Sequence, residues 1–227
     1  MSIDTYYINL NNYNIEKYFD YLLEFCSTDR INSINKYKNH SDKFRSAIAG
    51  AIIYNLYKKY TGSNINPKDI IFNTNKHGKP YIVNDTSFIY NISHSSDRVI
   101  VSVYKTTDDN SIKLGCDVEI HKEPYINIAK RFFTTDEYKY LLDILDDSIR
   151  KIAFFRLWTA KESYLKCIGI GLTNELNSFD ISLPSNIGDV YKINNLYLKE
   201  YNLNDNYSYT ICSSVNDFND TMIEYKL

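Results

Sequence analysis

The chain has 227 residues, 44% hydrophobic and 24% charged, enough to enclose one large core or two smaller ones. Its 26 Lys and Arg against 28 Asp and Glu give a formal net charge of −2, so there is no basic excess to neutralise nucleic-acid phosphates, and nucleic acid is not an expected partner. No apolar run approaches the ~20 residues that span a bilayer, and residues 1–10 carry Asp4 and no signal-peptide core, so a cytoplasmic protein without a membrane partner is expected. Cys26, Cys116, Cys167 and Cys212 include no C-x-x-C pair, which predicts reduced thiols.

In chain order, residues 2–10 read as a strand rich in Tyr and Ile, and 15–25 as a helix with apolar residues at helical spacing. A short basic helix over 29–38 precedes a longer one over 41–60, with Ser41 as its expected cap and Gly62 past its end. Short strands over 70–73 and 80–83 flank the turn Asn75-Lys76-His77-Gly78. Residues 90–93 and 99–104 read as strands around His94-Ser95-Ser96-Asp97-Arg98, and 108–113 as a polar linker. A strand over 114–120 leads to helices over 125–133 and 135–145, the latter capped by Thr135. A helix over 148–169 ends at Gly169 and Gly171, and short strands with turns fill 179–225. The order predicts an α+β protein of two similarly built halves related by a pseudo-twofold, 1–108 and 109–227, each with antiparallel strands packed by helices and an active site at their junction.

Two segments carry the chemistry. In Leu114-Gly115-Cys116-Asp117-Val118-Glu119-Ile120 the alternation puts both carboxylates on one face of a strand. In the helix over 148–169, Glu162 and Lys166 lie one turn apart on one face. Taken singly, the first is more often a solvated sheet face and the second usually a surface ion pair. If the two faces meet, three carboxylates and an ammonium share one site, and three hard oxygen donors suit Mg²⁺ bound against phosphate oxygens.

Gly115-Cys116-Asp117, a gap of forty residues and then Trp158-Thr159-Ala160-Lys161-Glu162-Ser163-Tyr164-Leu165-Lys166 closely resemble the signature of 4′-phosphopantetheinyl transferases. Gly78-Lys79-Pro80, Asn91-Ile92-Ser93-His94-Ser95 and Ala129-Lys130-Arg131-Phe132-Phe133 resemble the larger, surfactin-synthetase-activating branch, whose members are two-halved monomers. The resemblance implies transfer of 4′-phosphopantetheine from coenzyme A to a serine of an apo acyl or peptidyl carrier protein, as in nonribosomal peptide or polyketide biosynthesis, with release of 3′,5′-ADP. By that resemblance Asp117, Glu119 and Glu162 hold Mg²⁺ (Mn²⁺ also accepts oxygen ligands), Glu162 deprotonates the serine and Lys166 stabilises phosphate charge. His94 donates to a phosphate, with Ser93 beside it, unless it is a turn histidine; Lys161 reaches a phosphate, unless it is a solvated helix lysine. Gly78, Lys79 and Pro80 lie against adenine, and Arg30, Arg45 and Ser46 grip the 3′-phosphate, where Ser33 replaces a lysine common in that branch and Lys36 or Lys38 stands nearby. Arg131, Phe132 and Phe133 form either a patch for an acidic carrier helix or part of the core, and Trp158 packs behind the catalytic helix. A phosphohydrolase of small nucleotides and a non-catalytic carrier-binding module are the alternative functions.

Overall fold

A computed structural model describes residues 2–83, 85–106, 112–123, 126–171 and 174–227. The elements are β1 (Asp4–Asn9), α1 (Ile15–Leu23), α2 (Thr28–Lys36), α3 (His40–Thr61), β2 (Phe72–Thr74), β3 (Pro80–Ile82), β4 (Phe88–Ser95), β5 (Arg98–Lys105), β6 (Leu114–Ile120), α4 (Ile126–Phe132), α5 (Thr135–Asp143), α6 (Asp147–Ile168), β7 (Val190–Ile193), β8 (Leu196–Tyr201), β9 (Tyr207–Ser213) and β10 (Ile223–Glu224). The expected boundary at 108/109, and Tyr125 at the expected start of α4, lie outside the described residues.

The fold is α+β, as the order of elements predicts. One sheet runs β10-β1-β5-β4 and the other β6-β9-β8-β7; all neighbours are antiparallel except β10 with β1. Alternation along the strands sorts their side chains into layers. Tyr6, Ile8, Val99, Val101 and Val103 pack with Phe44, Ile48 and Ile52 of α3. On the opposite face, Ile3 and Ile100 join Leu114, Cys116, Val118, Tyr209 and Ile211 of the second sheet in a shared central core. Leu198 and Cys212 turn outward from that sheet to meet Ala153, Leu157 and Ala160 of α6. Among the described residues no helix is long and apolar enough to cross a membrane.

The long helices end where their glycines say. Gly62 (φ +70) and Gly169 (φ +76) close α3 and α6 in the left-handed region, which a side chain on Cα disfavours. The starts differ from expectation. Asn39, not Ser41, caps α3, because its side-chain oxygen accepts from Ser41 N at 2.9 Å. Thr134, not Thr135, caps α5 in a reciprocal box with Glu137. The hairpin after β4 is also tighter: His94 and Ser95 belong to the strand, and Ser96 (φ +51) turns the chain so that β5 begins at Arg98.

Candidate active site

Gly115 brings β6 onto α6. A Cβ there would lie 2.2 Å from the Ser163 carbonyl oxygen and 2.4 Å from the Cys167 nitrogen, so only a hydrogen lets the strand lie against the helix backbone. Asp117, on the same face of β6 two residues on, therefore faces the helix close enough to act on both Glu162 and Lys166. Lys166 Nζ lies 2.6 Å from Asp117 Oδ1.

β4 supplies the other wall. Between β4 and β6 the hydrogen bonds run through side chains: Asn91 Oδ1 accepts from Cys116 N at 2.8 Å, and Ser95 Oγ accepts from Ile120 N at 3.2 Å. Ser93 Oγ donates to Asp117 Oδ1 at 2.8 Å and accepts from Lys166 Nζ at 2.9 Å. Ser95 Oγ donates to Glu119 Oε2 at 2.7 Å. The sequence marks Asn91 and Ser95 only as members of the Asn91-to-Ser95 segment and gives them no role, because their partners lie about 25 residues away.

The site concentrates negative charge in a place shielded from water. Asp117 is 3% and Glu162 4% exposed. Burial, reinforced by the charge on Asp117, pushes the Glu162 carboxyl up to about 7 against the opposing pull of Lys166. Glu119 is raised by the same two causes. For Lys166 burial is the largest single effect and favours the neutral amine, yet the charge and hydrogen bond of Asp117 together with Cys116 and Glu162 outweigh it, and the ammonium is retained above its ordinary range. Asp117 Oδ2 and Glu162 Oε1 are buried without a hydrogen-bond partner. Among the described residues no group of three His, Cys, Asp or Glu side chains is placed, as it stands, to hold a metal ion. Two orphaned carboxylate oxygens beside a third carboxylate nevertheless fit a hard cation that keeps water or substrate oxygens in its remaining positions.

Two neighbouring cavities share Pro80 on their walls. The inner part, of about 240 Å³, is lined by Gly78, Lys79, Pro80, Glu162, Lys166 and Gly171, among others. The outer part, of about 430 Å³, is lined by Arg30, Ser33, Tyr37, Ser46 and Thr74. Gly78 has φ +86, the conformation that makes this turn a glycine position. Asn75 pins the turn to the end of α6 by donating to the Gly169 carbonyl at 2.9 Å. Lys79 lines the inner part, but its ammonium donates to the carbonyls of Leu114 (2.9 Å) and Cys167 (3.2 Å), and burial lowers its pKa.

His94 is exposed on β4, its pKa lowered by desolvation and then by the charges of Arg45 and Lys166. Arg45 is set apart from Arg30 and Ser46. It pairs with Asp42, donates to the Ser96 carbonyl at 3.0 Å and lines a separate cavity with Tyr13 and Asp97.

Lys161 requires a correction. It is not a solvated lysine, and its ammonium is already engaged within the protein: it is 0% exposed, 2.8 Å from Glu137 Oε1, and donates to the carbonyls of Leu176 and Phe179. Buried residues lie on every side of α6, so the side next to Glu162 faces a second interior instead of solvent. Of the aromatic pair, Phe133 is core, stacked on Phe154 at 5.2 Å, while Phe132 meets Trp158 edge-on at 6.0 Å under the Arg131 guanidinium. Trp158 stacks on Phe154, behind the catalytic face of α6.

Residues 113–212 match the 4′-phosphopantetheinyl transferase superfamily, and 14–106 match the 4′-phosphopantetheinyl transferase N-terminal family. The chain is similar to the 4′-phosphopantetheinyl transferase gsp of Aneurinibacillus migulanus, at 32% identity over 200 residues, covering 86% of this chain and 79% of that protein. It is similar also to the 4′-phosphopantetheinyl transferase Sfp of Bacillus subtilis (strain 168), at 29% identity over 211 residues and 90% of each chain. A crystal structure of a holo-(acyl-carrier-protein) synthase from Bacillus anthracis in complex with CoA (3′,5′-ADP) aligns with TM-score 0.37 and 24% identity, over 45% of this chain and 92% of that one. With its signature residues gathered at one site and both halves matched, the chain belongs to the 4′-phosphopantetheinyl transferase family, of the Sfp type.

Proposed function

We propose that the chain transfers the 4′-phosphopantetheine arm of coenzyme A to the serine hydroxyl of an apo acyl or peptidyl carrier protein, with Mg²⁺ at Asp117, Glu119 and Glu162. The observation that carries the metal reading is the pair of orphaned oxygens, Asp117 Oδ2 and Glu162 Oε1, near the Lys166 ammonium, with Glu162 and Lys166 on the wall of the inner cavity. Mg²⁺, or Mn²⁺ as the other hard cation these oxygens accept, would neutralise charge on the pyrophosphate.

The chain's own groups supply the rest. The carrier serine oxygen bonds to the β-phosphorus of coenzyme A as its proton passes to Glu162. The bond from that phosphorus to the bridging oxygen breaks, and the electron pair leaves on 3′,5′-ADP. Without a cation, burial holds this carboxyl up at about 7; a cation bound beside it would favour the carboxylate, the form that accepts the serine proton. The Lys166 ammonium and His94 face the charge that builds on the phosphates. Ser93 acts through Asp117 and Lys166, which it bridges. Gly78 and Pro80 line the adenine end and Arg30 and Ser46 the 3′-phosphate end, so residues 1–108 bind the nucleotide and 109–227 carry the chemistry. One copy of the chain contains every residue this scheme uses, so a monomer suffices.

Incubation with coenzyme A, Mg²⁺ and apo carrier proteins, followed by intact mass, tests the reading. The expected result is one phosphopantetheine added per carrier, abolished by EDTA and by alanine at the carrier serine. Steady release of 3′,5′-ADP without any carrier would instead mark a hydrolase.

A further inference from the structure

Two hydroxyls on β4 stand in register with two carboxylates on β6. Ser93 meets Asp117 at 2.8 Å, and Ser95 meets Glu119 at 2.7 Å. The carboxylates are not equally secured. Asp117 has a second anchor in Lys166, 2.6 Å away. Glu119 is only half-buried and also lines a cavity of about 270 Å³ with Trp158, Phe155 and Ile128, a space into which a longer, unanchored side chain could swing.

A serine hydroxyl normally rotates to suit its surroundings. That of Ser95 is fixed, because Ile120 N donates to its oxygen at 3.2 Å and leaves the O–H to point at Glu119 Oε2. Ser95 is 8% exposed, so little water competes for that bond. With Oε2 held, the second carboxylate oxygen is presented in a defined direction.

We propose that Ser95 is a positioning residue that orients Glu119 for the divalent cation. This rests on the metal reading above. Partners that orient a ligand typically contribute about 10–100-fold in metal affinity, because the ligand no longer has to be ordered on binding.

The test is Mn²⁺ titration of the protein saturated with coenzyme A and free of carrier, read from the electron paramagnetic resonance signal of free Mn²⁺. Wild type, Ser95→Ala, Glu119→Ala and the double variant form a cycle, with Ser95→Thr as the variant that keeps the hydroxyl. Ser95→Ala is expected to raise the Mn²⁺ dissociation constant about tenfold or more. In the Glu119→Ala background the same change should have no effect, since no carboxylate remains to orient. Ser95→Thr should bind as wild type does. An undiminished affinity in Ser95→Ala overturns the proposal, as does an equal loss in both backgrounds, which would mean that the hydroxyl only seals the contact between strands. Failure of the wild type to bind Mn²⁺ overturns the metal reading itself, and the role of Ser95 with it.

Discussion

Glu162 is held at a cost that follows from its surroundings. Its carboxyl titrates at about 7 in the fold against an ordinary 4.5, so between those values the folded protein keeps a proton that the unfolded chain releases. Stability falls as pH rises through that window, and the full penalty is present above 7. In EDTA at pH 8, Glu162→Gln should therefore be more stable than wild type by about 3 kcal/mol in urea titrations, with the gain shrinking to nothing near pH 4. The same substitution should lower kcat by about 10²–10⁴-fold with Mg²⁺ present. An inactive but less stable variant would mean that the carboxylate serves packing instead. Lys161, one residue earlier, should behave oppositely. Lys161→Met strands Glu137 in the interior and should cost about 3–5 kcal/mol, with KM for coenzyme A unchanged in the folded fraction. A raised KM in an undamaged fold would return Lys161 to the substrate. The facing of Glu162 and Lys166 was legible because i, i+4 spacing is a property of any helix. The fate of Lys161 was not, because a lysine on a helix reads as solvated unless a second layer, here the first turn of α5 and the segment after α6, is known to cover it.

At the scale of elements, the approach of β6 to α6 decides whether a site exists. Gly115→Ala forces a methyl into the helix backbone and should cost about 1–3 kcal/mol in stability. It should also reduce kcat, because the Asp117–Lys166 contact opens with it; urea unfolding and carrier-labelling rates read the two effects. The ends of α3 and α6 could be read in advance because glycines terminate them. The end of β4 could not. His94, Ser95 and Ser96 are polar and read as a turn, whereas Ser95 is strand, paired with Arg98 of β5, and its buried side chain meets a carboxylate on β6 and not an apolar core. Periodicity arguments assume that one face of a strand is apolar, and a strand whose buried face is made of Asn91, Ser93 and Ser95 defeats them.

For the whole molecule, the central core shared by both sheets predicts joint unfolding. Trp158, the single tryptophan, reports on the α6 side, and far-UV circular dichroism reports on all elements. Their urea transitions should coincide; separated midpoints would show that the sheets melt independently. The α+β class was plain from the order of helices and strands. The return of β10 to pair with β1 was not, since two residues contribute no periodicity. Gly115 carries a wider lesson for comparing such proteins. The residue that most sharply marks the signature contributes no donor, acceptor or charge; it is a clearance. Anyone grafting this constellation onto another scaffold would have to copy a gap between two backbones before copying any of the groups that react.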